Sequence, residues 1–254
     1  PDTSEVKLDP KTNTLIRDGV PSIINPDDKS GIEAALRIKE QVGGTVTVVC
    51  MGPPQADVAI REALAMGCDD GILISGREFG GSDTLATSTI IAAGIKTLDY
   101  DLIITGRQAI DGDTAQVGPQ IAEHLGLPQV SYAEDIQVES ENSIIVRRQF
   151  EDRYHVIEVK TPCLITALAE LATPRYMTVH GIFDAYREKE VKVWTLEELK
   201  DTVDMANIGL KGSPTNVKQS FTKQAKGKGL YYKDLSAEEA VETIVAKLEE
   251  KHII

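Results

Sequence analysis

The sequence predicts an α/β fold, an open and mostly parallel Rossmann-like sheet of the adenine-nucleotide-binding type, with an antiparallel edge and an extended C-terminal arm. From about Ser30 to Ser131, short β-branched runs alternate with amphipathic stretches, as they do in strand–helix–strand units. The run Thr45–Cys50 (TVTVVC) has the composition of a strand covered on both faces. Glycine-rich loops follow two of the predicted strands. These observations together predict a parallel sheet.

Helices and strands alternate through the first half of the chain. Ser30 and Glu33 have the spacing of a capping box, so the first helix is predicted to begin at Ser30. Gly67 is expected to close the second helix. In order after the first helix, the predicted elements are strand 45–50, helix 55–66, strand 71–75, helix 84–98, strand 101–105 and a helix that follows Asp113 and ends at about Leu125.

The second half of the chain predicts the antiparallel edge and the arm. Strands are predicted at 130–138, 143–150, 154–160 and 162–168, with a turn near Glu141-Asn142. Beyond Thr173-Pro174 the apolar density falls. We therefore expect an α/β domain over residues 1–190 and an arm over 191–254 that packs on a partner subunit. The arm has one clear helix, 236–251, which opens with a capping box at Ser236.

Charge and hydropathy exclude two classes of partner. The 254 residues carry a formal net charge of −13, with a pI near 4.8, so a polyphosphate backbone is repelled and we expect no nucleic acid. No apolar run approaches the roughly 20 residues of a membrane span. We expect no membrane span and a cytoplasmic location.

Metal-binding and nucleophilic motifs are not found. The cysteines and histidines lie far apart, without the spacing of a disulfide framework or of a metal site: Cys50, Cys68, Cys163, His124, His155, His180 and His252. A G-x-S-x-G elbow is also absent. We therefore predict no metal and no catalytic side chain.

One segment, Thr105–Pro119, joins a buried strand to a helix and is a candidate phosphate site. The N–H groups at a helix start are unpaired, and the helix dipole favours an anion there. Gly112 and Gly118 would let the backbone approach a diphosphate, and Arg107 would offset its charge. The side chains of Thr114 and Gln116 would add hydrogen bonds, whereas Asp111 and Asp113 would repel a phosphate and are assigned to capping, loop shaping or sugar hydroxyls. A tight surface turn is the alternative interpretation.

A second junction, Gly76–Thr84 (GREFGGSDT), follows the same logic. It contains adjacent glycines and hydroxyl side chains, and a helix is predicted to start at Asp83 or Thr84. Because ligands of open α/β sheets bind outside the carboxyl ends of the strands, the two loops would place two nucleotides side by side. A solvated loop is the alternative.

Three segments resemble electron-transfer flavoprotein beta subunits. Gly106–Pro119 (GRQAIDGDTAQVGP) is similar to the nucleotide loop of that family. Asn25-Pro26-Asp27-Asp28 with Glu33-Ala34-Ala35, and Thr173-Pro174-Arg175-Tyr176, resemble two further family segments. The resemblance thus spans nearly the whole chain and implies a small subunit that works with a larger, flavin-carrying alpha subunit.

The resemblance also implies the cofactors. The nucleotide loop holds AMP in ordinary members and a second FAD in electron-bifurcating members. Residues 80–88 and 111–116 look like the bifurcating branch, in which the glycine loop binds the substrate NADH. The residues expected to hold FAD or AMP are Asn25, Met51, Gly52, Thr105, Gly106, Arg107, Gln108, Ala109, Asp111, Gly112, Asp113, Thr114, Gln116, Val117, Gly118 and Pro119, and those expected to hold NADH are Gly80, Gly81, Ser82, Asp83, Thr84 and Thr87.

A third implication concerns docking. Residues 176–184 correspond to the recognition loop of the family, which docks on an acyl-CoA dehydrogenase or enoyl-CoA reductase-type flavoenzyme. The expected contact residues are Tyr176, Met177, Thr178, Val179, His180, Gly181 and Ile182. Family members begin with an apolar strand ahead of the stretch that Pro1-Asp2-Thr3 resembles, so we expect the first strand of the sheet to precede residue 1. His155 lies where the family has an acidic or amide residue.

The expected function is NADH oxidation with electron bifurcation, toward the acyl-CoA-type partner and toward a low-potential ferredoxin or flavodoxin. One alternative is a non-bifurcating subunit with structural AMP. Another is an ATP pyrophosphatase-type adenylating enzyme, because Gly80–Thr84 partly resembles a pyrophosphate loop. The third is a nucleotide-sensing module without turnover.

Overall fold

The computed structural model describes residues 23–110, 112, 114–215, 227 and 229–254. The chain divides into two compact units, 1–219 and 220–254. The predicted site residues Asp111 and Asp113 lie outside the described residues.

Helices and strands alternate through the first part of the larger unit, as predicted. The elements are helix α1 (Pro26–Val42), strand β1 (Thr47–Met51), helix α2 (Asp57–Met66), strand β2 (Asp70–Ile74), helix α3 (Thr84–Ile95), strand β3 (Leu102–Gly106) and helix α4 (Val117–Leu125). The N–H of Gly67 bonds the carbonyls of Ala63 and Leu64 with φ +127°, which confirms that glycine closes α2.

The second part of this unit contains the antiparallel strands and short helices. The elements are β4 (Gln129–Ser140), β5 (Ser143–Gln149), β6 (Tyr154–Lys160), β7 (Cys163–Ala167), α5 (Val179–Arg187), β8 (Val191–Trp194), α6 (Leu196–Leu199) and α7 (Gly209–Gly212).

The strands of the described part of the chain form two sheets. The first has the order β1-β2-β8 and is parallel, with Val48 opposite Gly71 and Gly71 opposite Val191. The second has the order β3-β7-β4-β5-β6, in which β3, β7 and β4 are parallel and β4, β5 and β6 are antiparallel. The predicted α/β fold with an antiparallel edge is therefore confirmed.

Apolar packing explains why both sheets persist. All five residues of β7 are buried between its neighbours and the helices, as expected of a strand covered on both faces. On the other sheet, Ile72 and Ile74 of β2 pack with Ile90 of α3 and Leu199 of α6. Burying one such side chain contributes about 1.5–3 kcal/mol. The loops after β2 and β3 therefore rest on rigid strand ends.

Helix α1 begins four residues before the predicted start. Pro26 occupies the first helical position, which suits a residue without an N–H group, and Asn25 precedes it. Ser30, predicted as the cap, is buried inside the helix, where its hydroxyl accepts a hydrogen bond from the N–H of Ala172 at 2.9 Å. The prediction failed because capping-box spacing also occurs within helices.

Four elements were not predicted from the sequence: α5, β8, α6 and α7. The predicted recognition loop is helical from Val179 onward, with Thr178 as its N-cap. Strand β8 lies in the first sheet, although the predicted arm begins at 191. The packing of the arm on a partner subunit stays a prediction.

The smaller unit contains helix α8 (Ala237–Glu250). Its capping box is confirmed, since the side chain of Ser236 bonds the N–H of Glu239 and the Glu239 carboxylate accepts from the N–H of Ser236 at 2.8 Å. Val241, Ile244 and Val245 recur at helical spacing along it, which makes the helix amphipathic. Within the described ranges of the chain, no helix is long and apolar enough to cross a membrane.

Candidate functional site

The two predicted nucleotide loops follow the carboxyl ends of β3 and β2 and touch each other. The hydroxyl of Thr84, at the start of α3, donates to Oε1 of Gln116, just before α4, at 2.8 Å. Residues 32 positions apart in the sequence are thereby joined. This contact supports the expectation that the two loops lie side by side.

The start of α1 holds the nucleotide loop in place. Nδ2 of Asn25 donates to the carbonyl of Gln108 and to Oδ2 of Asp28, both at 2.8 Å. Oδ1 of Asp28 accepts from the N–H of Gly106 at 2.6 Å. Burial raises the pKa of Asp28, and the hydrogen bonds from Gly106 and Asn25 offset this only in part. A carboxyl group with a raised pKa therefore contacts the backbone of the loop.

Arg107 is partly neutralised within the chain. Its Nε lies 3.5 Å from Oδ2 of Asp27, in the first turn of α1. Any phosphate in the loop therefore competes with Asp27 for this guanidinium.

Thr105 in β3 and Asn25 directly before α1 each have a buried polar atom that is unsatisfied within the described part of the chain. Oγ1 of Thr105 and Oδ1 of Asn25 have no hydrogen-bond partner among the residues that the structure describes. Leaving a buried polar group unpaired costs about 1–3 kcal/mol. A hydroxyl that can donate and an amide oxygen that can accept are suited to the phosphate and sugar groups of a nucleotide, so these residues fit such a cofactor.

The start of α4 is not capped by the side chain of its N-cap residue. Gln116 is its N-cap residue and makes no side-chain cap hydrogen bond. The first N–H groups of a helix have no intrahelical partner, and the helix dipole adds a favourable potential for negative charge. Ala115, immediately before, has φ +53°, a backbone conformation that is costly for a residue other than glycine and that is often found at functional sites.

Gly118 is required for packing, and its predicted contact with a phosphate stays a prediction. A Cβ at this position would lie 2.5 Å from Oγ1 of Thr105 and 2.9 Å from Cγ2 of Thr166. The glycine therefore allows α4 to pack closely on β3 and β7. Gly112 is exposed and has only the Cβ of Ala109, at 4.0 Å, near the place of its own Cβ. It retains the predicted freedom to approach a ligand.

The start of α3 is already capped by a carboxylate. Asp83 accepts from the N–H of Ala86 at 3.1 Å, and from the N–H and the hydroxyl of Thr215 at 3.0 and 2.7 Å. Burial raises the pKa of Asp83, but these hydrogen bonds outweigh the effect and hold it below its usual value of 3.8. The charged carboxylate disfavours a phosphate on the axis of this helix.

The remaining predicted nucleotide-binding residues are placed around these two starts. Met51 ends β1 and packs in the core, and the N–H of Gly52 donates to the carbonyl of Ile74 at 3.1 Å. The hydroxyl of Ser82 donates to the carbonyl of Phe79. Four others lie in α3 or α4 or directly before α4: Thr87, Thr114, Val117 and Pro119. Their contact with a nucleotide stays a prediction.

The predicted docking residues are exposed and anchored. Tyr176 is 97% and Val179 is 76% exposed. Before them, Nε of Arg175 donates to the buried Glu33 of α1 at 2.8 Å. Burial raises the pKa of Glu33, but the hydrogen bonds from Arg175 and Arg37 outweigh it, so the carboxylate stays charged. The segment thus presents apolar side chains from a fixed base.

Sequence reasoning missed several residues at the site. Asp28 was quoted only for its family resemblance, and Ser213 and Thr215 were assigned to the arm. Tyr132 has φ +61° at a register shift in β4, and its N–H donates to the hydroxyl of Thr166 at 3.0 Å. Glycine would have marked such a turn, but a tyrosine gives no sequence signal for it.

The described histidine, cysteine and acidic side chains show neither a metal-binding cluster nor a reactive thiol. No group of three or more histidine, cysteine or acidic side chains there could hold a metal ion. Burial raises the pKa of Cys50 and of Cys163 to about 11 and that of Cys68 to about 12. These thiols stay protonated at neutral pH and are unreactive.

The fold, together with the start of α4 that its N-cap side chain does not cap, defines a Rossmann-like α/β protein suited to a nucleotide phosphate. The family model described as electron transfer flavoprotein domain matches residues 12–199. The chain is 58% identical, over all of its length and 96% of the relative, to the electron transfer flavoprotein subunit beta of Clostridium acetobutylicum.

Other relatives have more specific names. The chain is 54% identical to the caffeyl-CoA reductase-Etf complex subunit CarD of Acetobacterium woodii, and 52% identical to the acryloyl-CoA reductase electron transfer subunit gamma of Anaerotignum propionicum, in each case over all of this chain and 96% of the relative. The chain belongs to the electron transfer flavoprotein family, among its beta subunits, which confirms the family resemblance of the sequence.

Proposed function

We propose that this chain holds FAD at the start of α4 and NADH at the glycine loop, and that it transfers electrons within a complex with a larger alpha subunit. The electrons from NADH are divided between an acyl-CoA dehydrogenase or enoyl-CoA reductase-type flavoenzyme and a low-potential ferredoxin or flavodoxin. The observation that carries the proposal is the uncapped start of α4, beside the unsatisfied hydroxyl of Thr105.

In this proposal the chain binds and orients. The N–H groups of Val117 and Gly118 bind a phosphate, and the hydroxyl of Thr105 donates to the same ligand. Asn25 and Asp28 fix the loop through Gln108 and Gly106. Bound flavin would supply the hydride and single-electron chemistry, which no side chain of the protein provides.

The glycine loop would bind NADH beside the helix axis. Because Asp83 already occupies the start of α3, the diphosphate is expected to contact the backbone of Gly80, Gly81 and Ser82 instead. The contact between Thr84 and Gln116 keeps this loop next to the flavin loop. Proximity of the two nucleotides is what direct hydride transfer requires.

The proposed partners are supported by the relatives and by the surface. Two relatives are named for caffeyl-CoA reductase and acryloyl-CoA reductase complexes. Residues 176–182 expose an apolar surface that such a flavoenzyme would cover. Amphipathic α8 is proposed to pack on the alpha subunit.

The first experiment is to count the nucleotides in the complex co-purified with the alpha subunit. Two FAD per heterodimer, bleached by NADH, are expected. One FAD with one AMP would instead indicate a non-bifurcating carrier, and ATP-dependent release of pyrophosphate would indicate an adenylating enzyme. A colourless complex that binds adenine nucleotide would favour a nucleotide sensor and contradict the proposal.

Docking is tested with Val179→Asp. A charge at the centre of a docked apolar surface typically costs more than about 2 kcal/mol of binding, so electron transfer to the reductase should weaken more than about tenfold. Flavin content should not change. Val58→Asp, on an exposed position of α2, is the matched control and should leave transfer intact. Equal transfer rates for the two variants would contradict docking at this segment.

A further inference from the structure

The glycine loop, residues 76–83, is covered on one side by residues 208–215 from much later in the chain. The N–H of Leu210 donates to the carbonyl of Gly80 at 3.2 Å. Ile208 is buried in the apolar cluster beneath the loop. The sequence analysis had assigned this later segment to the arm, whereas its contacts are with the loop.

Two hydroxyl side chains connect the later segment to Asp83. The buried hydroxyl of Ser213 accepts from the N–H of Asp83 at 2.8 Å and donates to the carbonyl of Gly209 at 2.8 Å. Thr215 donates its N–H and its hydroxyl to Oδ2 of Asp83. With the bond from Ala86, Asp83 accepts at both oxygens and has little capacity left for a ligand hydroxyl.

The backbone is shaped for this contact. Gly209 has φ +62°, and a Cβ there would overlap the carbonyl oxygen of Glu78. Gly81 has φ +74°, and a Cβ there would lie 3.2 Å from the Cβ of Leu210. Glycine on each side of the contact is therefore needed for both conformation and space.

We infer that residues 208–215 form a second wall of the glycine loop, and that Ser213 and Thr215 are positioning residues for the pyridine nucleotide proposed to bind there. The inference rests on the proposed function. In this inference Asp83 does not contact the ligand. Its carboxylate instead joins residues 208–215 to the glycine loop. Contacts to the nucleotide fall instead to residues 80–82 and to Thr87.

The physical reason is conformational entropy. A loop with adjacent glycines has many accessible conformations. If only a fraction of the molecules holds the conformation that binds the ligand, the apparent Kd equals the intrinsic Kd divided by that fraction. The hydrogen bonds to Asp83 raise that fraction before the ligand arrives. Their loss should therefore raise KM for NADH and leave kcat unchanged, since saturating ligand restores the competent conformation.

The test uses the intact complex with the alpha subunit. Thr215→Val removes the hydroxyl donor and keeps the shape, and is expected to raise the Kd and KM for NADH by about fivefold to tenfold, with kcat and FAD content unchanged. Thr215→Ser restores the donor and should return the Kd to within about twofold of wild type. Thr202→Val, which removes a hydroxyl bound to the carbonyl of Leu199, is the matched control and should not change the Kd.

The outcomes separate this inference from the proposed function. A wild-type complex that contains FAD but does not bind NADH would overturn both. NADH binding by wild type with an unchanged Kd for Thr215→Val would overturn the inference alone. A rise in Kd for Thr202→Val as large as for Thr215→Val would also overturn it, because the effect would then be a general loss of stability.

Discussion

Two strand-to-helix junctions, β3–α4 and β2–α3, have similar sequences. They differ in the charge of the residue at the N-cap of the helix. Both contain two or more glycines, hydroxyl side chains and at least one aspartate near the start of a helix. At α4 the N-cap residue Gln116 makes no side-chain cap hydrogen bond, whereas at α3 Asp83 caps the helix with a charged carboxylate. A glycine-rich loop before a helix therefore does not by itself predict an anion site.

The aspartates that contact the two loops also differ, because their pKa values are shifted in opposite directions. Burial raises the pKa of Asp28, which lies behind the start of α4. Burial acts likewise on Asp83, but the donors from Ala86 and Thr215 outweigh it and lower the pKa. Asp28 is thus shifted toward its neutral form, whereas Asp83 is charged and already occupies the start of α3. A phosphate on the axis of α3 would therefore be repelled by Asp83.

The largest expected effect comes from closing the space between α4 and the sheet. Gly118→Ala places a Cβ 2.5 Å from Oγ1 of Thr105, so α4 must shift, and overpacking of this kind costs about 1–3 kcal/mol. The free energy of unfolding in urea should fall by that amount, and the nucleotide content of the purified complex should fall with it. Gly112→Ala is the control, and a loss of stability equal to that of Gly118→Ala would contradict this account.

The next largest effect should come from Asp83→Asn. The folded pKa of Asp83 lies below 3.8, so its stabilisation is complete above that pH and is lost as the pH falls through the folded pKa. At pH 7 the variant should be less stable by about 1 kcal/mol, because both carboxylate oxygens of Asp83 accept hydrogen bonds and an amide has only one oxygen that can do so.

Urea unfolding of Asp83→Asn across pH 3–7 measures the effect, and the difference from wild type should shrink toward the acid end. Asp201→Asn, at an exposed turn, should unfold like wild type throughout. A difference that stays constant with pH would show that the charge of Asp83 does not cap α3.

A smaller, stabilising effect is expected from Ala115→Gly. The left-handed conformation costs an L-residue about 1–2 kcal/mol, which glycine avoids. Glycine loses more conformational entropy on folding, however, and this offsets about 0.5–1 kcal/mol of the gain. The free energy of unfolding should rise by about 0.5 kcal/mol. Ala59→Gly, within α2, should lower it by about 1 kcal/mol. Destabilisation by both substitutions would contradict strain at Ala115.

The smallest effect should come from Thr84→Val, which removes the contact between the two loops. The bond to Gln116 is exposed, so its net contribution is expected at the low end of the usual range, about 0.5 kcal/mol. Nucleotide affinity at α4 should change less than about threefold, as measured by titration with AMP. A larger change would mean that the loops act as one unit, which would weaken the contrast between them.

Much of the fold was predictable because it depends on local patterns. The apolar runs at β2 and β7 and the cap residues Gly67 and Ser236 have direct sequence signals. The start of α1 was wrong, because the buried hydroxyl of Ser30 serves the distant Ala172. Helix α5 was missed because the resemblance suggested a loop.

At the site, the sequence by itself determined the two loops, the family and the residue types that surround a nucleotide. Only the tertiary structure decided that the carboxylate at the start of α3 is saturated, because two of its donors come from Thr215, 132 positions away. It likewise decided that Gly118 packs against Thr105 and Thr166. Contacts between residues distant in sequence leave no periodic pattern in the chain, so they become visible only when the strands and helices are assembled.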